Sequence, residues 1–375
     1  MLGKETDMKF SCDKNLLLKS IDIVSKAINN NSPVDILKGI KLDVEDTIKF
    51  TGSDTELSIE SEFDAVIEEK GSLILDSRIF YDIVKNLPDG KVTLFTSEKN
   101  EVKIICENTM FNILYLSSEG YPEISRIEEG ENIRIYSKNL KDIIKNTIFV
   151  LSEDESRPIL SGAYFEIQKS NLKVVAIDRF RLALRNQIIP ETGYENLNFV
   201  IPGKVLSEIS KILKDDNTIV DINVKDNNVV FKFDSFTVTS RLLEGDFLDY
   251  NKFIPENYSI KSKIGVKAFR EMIERAAVII NYDDPKIPVV LKLKNSSVTV
   301  ECISKFGNFC ESIDIDKYGN DLKIGVDSRL ILNTLKCITD ESAMFEFTNE
   351  QGPFVIKPVE GNSYIYMVLP MRLKN

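Results

Sequence analysis

Hydrophobic and polar positions along this chain fall into one pattern written three times. Asp76–Leu87, Ile201–Leu213 and Val326–Ile338 each open on a helix start signal and then carry apolar residues at helical spacing. Arg78, Lys204 and Arg329 hold matching places, about 126 and 125 residues apart. A second helix is expected upstream in each copy, near Lys14–Ile28, Lys138–Phe149 and Lys267–Ile280. Alternating strands follow it, opened by Ile40–Phe50, Ala163–Gln168 and Val289–Leu293. Further strands at Lys91–Thr96, Ile219–Val224 and Ala343–Phe347 lead to closing strands at Phe111–Leu116, Thr237–Leu243 and Tyr364–Leu369. Each unit therefore reads as α+β, with two helices and about eight mostly antiparallel strands. Units of this size can each hold a core, unlike short solenoid repeats. Polar stretches near Arg126–Arg134 and Asp249–Lys263 separate them. The expected domains are residues 8–127, 133–252 and 259–375. The polar start, residues 1–7, lacks the apolar stretch of a secretory signal and reads as an extension outside the fold.

Composition narrows the chemistry. No apolar run reaches the ~20 residues a membrane span needs. The chain has 5 cysteines, with no CxxC pair, and no histidine. Buried reduced thiols of a cytoplasmic protein are expected, and a zinc site or a histidine-based catalytic machinery is not. No cofactor is implied. The formal net charge of −11 argues against nucleic acid until the positions of the charges are considered.

Those positions change the picture. Basic residues stand seven apart on five of the six helices: Lys19 and Lys26, Arg78 and Lys85, Lys138 and Lys145, Lys204 and Lys211, Arg329 and Lys336. Two helical turns put such pairs on one stripe, so each helix shows a basic ridge opposite its apolar face. Lys141 and Lys214 extend two ridges, whereas the remaining helix has Lys267 and Arg270 but Glu274 in the seventh place. A solvated helix face is the plain reading of one ridge; five equivalent ridges in an acidic chain point to a polyanion. With no sequence-reading motif beside them, the contacts expected are to backbone phosphate. Six packed helices would close a circle only about 17 Å across, too small for a duplex about 20 Å wide. Twelve would leave a clear bore of about 25 Å, so two chains are needed to encircle DNA.

The repeat, Ala176-Ile-Asp-Arg-Phe-Arg-Leu-Ala183, Ser240-Arg-Leu-Leu-Glu-Gly-Asp-Phe247 and the terminal Leu369-Pro-Met-Arg-Leu373 together resemble the bacterial DNA polymerase III beta subunit family, the sliding clamps, over essentially Met8 to Asn375. The resemblance implies three clamp domains in a head-to-tail homodimeric ring without a catalytic centre. Such a ring slides on double-stranded DNA and is opened by a clamp-loader complex. It tethers a DNA polymerase III alpha or PolC-type polymerase and other proteins with a clamp-binding motif. It also implies a partner-peptide pocket lined by Leu160, Ile177, Arg179, Phe180, Arg181 and Leu182, with Leu248, Lys252 and Phe253 at its side. Pro353, Met367, Val368, Leu369, Pro370, Met371 and Arg372 would close it. An apolar groove rimmed by arginine suits a short Gln/Leu/Phe-containing peptide. Where the family usually has Gly-His after Asp178 this chain has Arg179-Phe180, and Leu248 replaces a common proline, which implies an altered peptide preference. The ring interface would join Phe111 and Ile113 on an edge strand to Val278 and Ile279 of a second copy.

Two other readings stand beside this one. A metal-dependent nuclease or nucleotidyltransferase would need converging carboxylates. Asp283-Asp284, Asp314 with Asp316, and Asp215-Asp216 lie in separate turns and strand ends, and Ser152-Glu-Asp-Glu-Ser156 reads as an exposed loop. A scaffold unrelated to DNA could use the same three-domain body.

Overall fold

The computed structural model describes residues 8–97, 100–124, 130–152, 154, 156–282, 284 and 286–373. The 1–7 extension, residues 126–129 of the first expected linker, and Glu153, Glu155 and Asp283 lie outside the described residues.

The expected grammar is present in each third. The first runs β1 (Lys9–Asp13), α1 (Lys14–Val24), β2 (Gly39–Val44), β3 (Ile48–Ser53), β4 (Leu57–Phe63) and β5 (Val66–Glu69). It continues through β6 (Gly71–Asp76), α2 (Ser77–Asn86), β7 (Lys91–Ser97), β8 (Glu101–Cys106), β9 (Thr109–Leu114) and β10 (Leu116–Ser117). The second holds β11 (Glu131–Tyr136), α3 (Ser137–Lys145), β12 (Gly162–Gln168), β13 (Asn171–Ile177) and β14 (Arg181–Ile188). After them come β15 (Leu197–Pro202), α4 (Gly203–Ile212), β16 (Ile219–Lys225), β17 (Asn228–Phe233) and β18 (Phe236–Arg241). The third holds β19 (Ile260–Gly265), α5 (Val266–Asn281), β20 (Val289–Lys294), β21 (Ser297–Ser304), β22 (Gly307–Asp314) and β23 (Asp316–Gly319). It ends with β24 (Leu322–Val326), α6 (Ser328–Leu335), β25 (Ser342–Phe347), β26 (Phe354–Pro358) and β27 (Tyr364–Val368).

Helix starts are made locally. Asp13, Asp76 and Asp327 each accept two backbone N–H groups of the first turn, which satisfies donors that a helix leaves open. Several boundaries differ from the sequence pattern; the helix expected over Lys14–Ile28, for one, ends at Val24 and passes into a 3₁₀ turn at Ser25–Ala27. Ile40–Phe50 is a hairpin rather than one strand, because Glu45 N–H donates to Thr47 C=O and turns the chain. The helix expected through Phe149 stops at Lys145, where the Thr147 hydroxyl bonds back to Ile143 C=O, and a short 3₁₀ turn follows. The closing strand of the first third breaks at Tyr115, and Leu116–Ser117 pair instead with β6.

The described residues divide into two compact units. One takes the chain up to Lys138 and Lys211–Leu242; the other takes Asn139–Ser210 and everything from Leu243 onward. Sheets built from different thirds explain the count of two. In the first unit β4 pairs with β18, which makes a nine-stranded sheet β10-β6-β2-β3-β4-β18-β17-β16-β11 beside a five-stranded one, β5-β1-β7-β8-β9. In the second unit β14 pairs with β27, giving β15-β12-β13-β14-β27-β26-β25-β19-β23 beside β22-β21-β20-β24. Each unit has its own apolar core. Phe50 meets Phe63 and Phe80 edge-on in the first, and Phe269 meets Phe345 in the second. Phe10, Phe50, Phe80, Phe269 and Phe345 are fully buried.

Candidate functional site

The β14–β27 pairing builds the floor of a cavity of about 620 Å³ in the second unit. Leu182 lies opposite Met367 in the register, and both join Ile177 and Tyr250 in one buried cluster. Leu160, Ile177, Arg179, Arg181, Leu248, Lys252, Phe253, Pro353, Met367 and Leu369 line the cavity.

The other expected pocket residues are placed elsewhere, for reasons of strand geometry. Leu182 shares the Met367 face of the sheet but is buried in the cluster behind the lining, and Val368, its side chain on the opposite face of β27, packs into the main core of the unit. Phe180 is 54% exposed and takes part through its backbone, accepting from Leu369 N–H at 2.8 Å. Met371 N–H donates to Gly325 C=O at 2.9 Å, which ties the terminal segment to β24 and leaves Pro370, Met371 and Arg372 off the lining.

Arg179 does not distort the turn between β13 and β14. It is not among the positive-φ residues, so the turn closes without a left-handed position. Asp178 replaces the need for glycine: its carboxylate accepts the N–H groups of Phe180 and Arg181, both at 2.7 Å. The same carboxylate holds the Arg181 guanidinium at 2.9 and 3.1 Å, while that cation also sits over the Phe149 ring. Arg181 is thus a buried, fixed cation at the cavity wall.

Sequence reasoning missed the opposite wall. Ser152, Asp154, Ser156, Arg157 and Asp178 also line the cavity. The 152–156 stretch, read as a solvated loop, has a buried Ser152 and a half-buried Asp154. Asp154 pairs with Arg179 at 2.6 Å and accepts the Ser156 hydroxyl at 2.7 Å and its N–H at 3.1 Å. Arg179 first, then the two Ser156 donors, hold the Asp154 carboxyl well below the usual carboxylate range. An arginine about 25 residues away is not a local signal, so the pairing was invisible along the chain.

The helix cations are displayed much as the periodicity predicts. Lys19, Arg78, Lys85, Lys138, Lys145, Lys204, Lys211, Lys214, Lys267, Arg329 and Lys336 are exposed; Lys26, Lys141 and Arg270 are half-buried. Some have local carboxylates: Lys26 with Asp22 at 2.9 Å, Lys214 with Asp234 at 2.6 Å and Arg329 with Asp327 at 3.0 Å. Arg270 turns toward Glu274, the acidic residue that breaks the sixth ridge. Lys26 and Lys336 lie just past the last α-helical residue of α1 and α6.

Edge strands carry the third constellation. β9 is an outer strand of the five-stranded sheet and exposes Met110, Phe111 and Leu114, the last by 73%, with Ile113 half-buried. β22 is an outer strand of the four-stranded sheet in the other unit. On α5, which packs against β22, Val278 is exposed and Ile279 half-buried. Ile303, Phe306 and Tyr282 are also exposed, and the periodicity had not singled them out. Cys310 on β22 is exposed, correcting the expectation that every thiol is buried; Cys12, Cys106 and Cys302 are buried. Among the described residues no group of three or more His, Cys, Asp or Glu side chains could hold a metal ion. None of the described helices is long and apolar enough to cross a membrane.

Family profiles match three successive stretches. Residues 8–125 match the DNA polymerase III beta subunit N-terminal domain, 134–249 its central domain and 251–372 its C-terminal domain. Beta sliding clamps of Staphylococcus epidermidis and Staphylococcus aureus are each 34% identical to this chain over 97% of it and 99% of their own length. Among solved structures, a DNA polymerase III beta subunit from Eubacterium rectale superimposes with a TM-score of 0.94 at 34% identity, and the Bacillus subtilis sliding clamp with 0.94 at 32%. Each covers 98% of this chain and 100% of the other.

Proposed function

The chain belongs to the DNA polymerase III beta subunit family, and from that premise we infer how its own residues serve a DNA sliding clamp. A clamp is a processivity factor without catalysis of its own: two copies form a ring around duplex DNA and tether the replicative polymerase. The observation that carries this reading is the match of all three family domains, in order, along nearly the whole chain. A clamp-loader complex, the polymerase and other proteins with a clamp-binding motif are its partners, and the cytoplasm is the compartment we propose.

Residue roles follow from chemistry. The exposed ridge cations on α1 to α6 face the duplex and meet phosphate through loosely held, water-accessible contacts, which favour sliding over arrest. Their flexible stems and partial neutralisation by local carboxylates suit contacts that must be made and broken at each step. The 620 Å³ cavity takes the partner's apolar anchors on Leu160, Ile177, Leu248, Phe253, Met367 and Leu369. Exposed β9 of one copy meets β22 and α5 of the next, so the backbone groups of both edge strands find partners. This contact is heterologous, and two of them close a ring. We place the domain divisions within residues 128–132 and 253–258.

The test is topological. With a clamp loader and ATP, the protein should stay on a nicked circular plasmid through gel filtration and be lost when the plasmid is cut once. Equal retention on circular and linear DNA would sink the ring. A chain that stays strictly monomeric at micromolar concentration in a sedimentation run would count equally against it.

A further inference from the structure

The cavity wall contains two arginines with different freedoms, and the difference assigns one of them a reading role. Arg181 is 8% exposed, held by Asp178 and stacked on Phe149, so it cannot turn toward a ligand. Arg179 is the opposite: its side chain is 72% exposed, and it pairs with Asp154. Asp154 is the anchored member of this pair, because Ser156 gives it two further hydrogen bonds from hydroxyl and backbone. If Arg179 swings away, Asp154 keeps those two donors and stays satisfied. Exchange is therefore cheap on the protein's side, since an ion pair whose arginine lies in solvent contributes little and the long arginine stem regains freedom.

We propose that Arg179 is a specificity-determining residue of the peptide pocket, which gives up Asp154 to pair with a carboxylate on the bound peptide. The proposal rests on the reading of this cavity as the partner-peptide site. The charge of the lining supports it: among the described residues, Arg157, Arg179, Arg181 and Lys252 outnumber Asp154 and Asp178 in a chain whose net charge is −11. A peptide that brings one Asp or Glu beside its apolar anchors fits this surface, because it gives Arg179 a second carboxylate while the apolar lining holds the anchors. A neutral peptide gains the apolar contacts alone and leaves the Arg179–Asp154 pair closed across the wall.

The experiment compares two fluorescent Gln/Leu/Phe-containing peptides that differ only in one Asp against Asn, each titrated into the full-length protein by anisotropy. Wild type should favour the Asp peptide by about fivefold at low salt, and the preference should shrink as salt rises. Arg179→Gln should bring the ratio between the two peptides close to one. Asp154→Asn should enlarge the ratio, because Arg179 no longer has a carboxylate to leave. A wild-type ratio near one, or a ratio that survives Arg179→Gln, overturns the proposal, as does an Asp154→Asn variant with an unchanged ratio. Failure of the wild type to bind either peptide would instead overturn the pocket reading beneath it.

Discussion

Asp178 is the residue on which the pocket turn depends. One carboxylate closes the turn through two backbone N–H groups and fixes Arg181, two tasks that a glycine in the next position cannot perform. Asp178→Ala should loosen the 178–181 turn, destabilising the second unit by roughly 1–3 kcal/mol through the unpaired buried guanidinium, readable as a lower melting temperature. Glu346 gives a pH prediction. Burial pushes its carboxyl up, but the hydrogen bonds and charges of Lys357 (2.8 Å) and Lys261 (3.0 Å) outweigh burial and leave it below the ordinary value. Its contribution is therefore complete above the unfolded value of about 4.3 and fades as pH falls through the lower folded value. Melting temperature followed from pH 6 to pH 3 should fall less steeply in Glu346→Gln than in wild type; identical slopes would remove Glu346 from the acid response.

Helices and edge strands separate stability from function. The ridge cations are exposed, so replacing Lys138 and Lys145 together by Gln should barely move the melting temperature while weakening DNA contact. If both reach phosphate, the slope of log affinity against log salt should drop by about two, measured on short linear duplexes. The edge strand behaves in the same way. Ile113→Asp on β9 puts a charge where a second chain would pair and leaves a strand already at the sheet edge, so the expected product is a folded monomer by light scattering. A variant that stays dimeric would place the interface elsewhere.

At the scale of the whole molecule, a formal charge of −11 coexists with encirclement of a polyanion because the link to DNA is topological. A closed ring need not bind phosphate tightly to stay on a circle, and weak contact is what lets it move. Salt should therefore release this protein from linear duplex far more readily than from a nicked circle on which it has been loaded.

Much of this was legible along the chain. Helical and strand periods, Asp caps and the threefold recurrence are local, and they determined the order of elements, the exposure of the basic ridges and the family to which the chain belongs. Strand pairing between distant segments was decided only in three dimensions. It joined β4 to β18 and β14 to β27, so three sequence repeats became two compact units. The Asp154–Arg179 pair likewise arose from folding, as did the displacement of Met371 onto Gly325. Periodicity reports which face of an element is apolar; it carries no information about which distant element will cover that face or offer it a charge. The apolar pocket residues were therefore legible only through the family resemblance of the segments that carry them, while the charged wall waited for the tertiary structure.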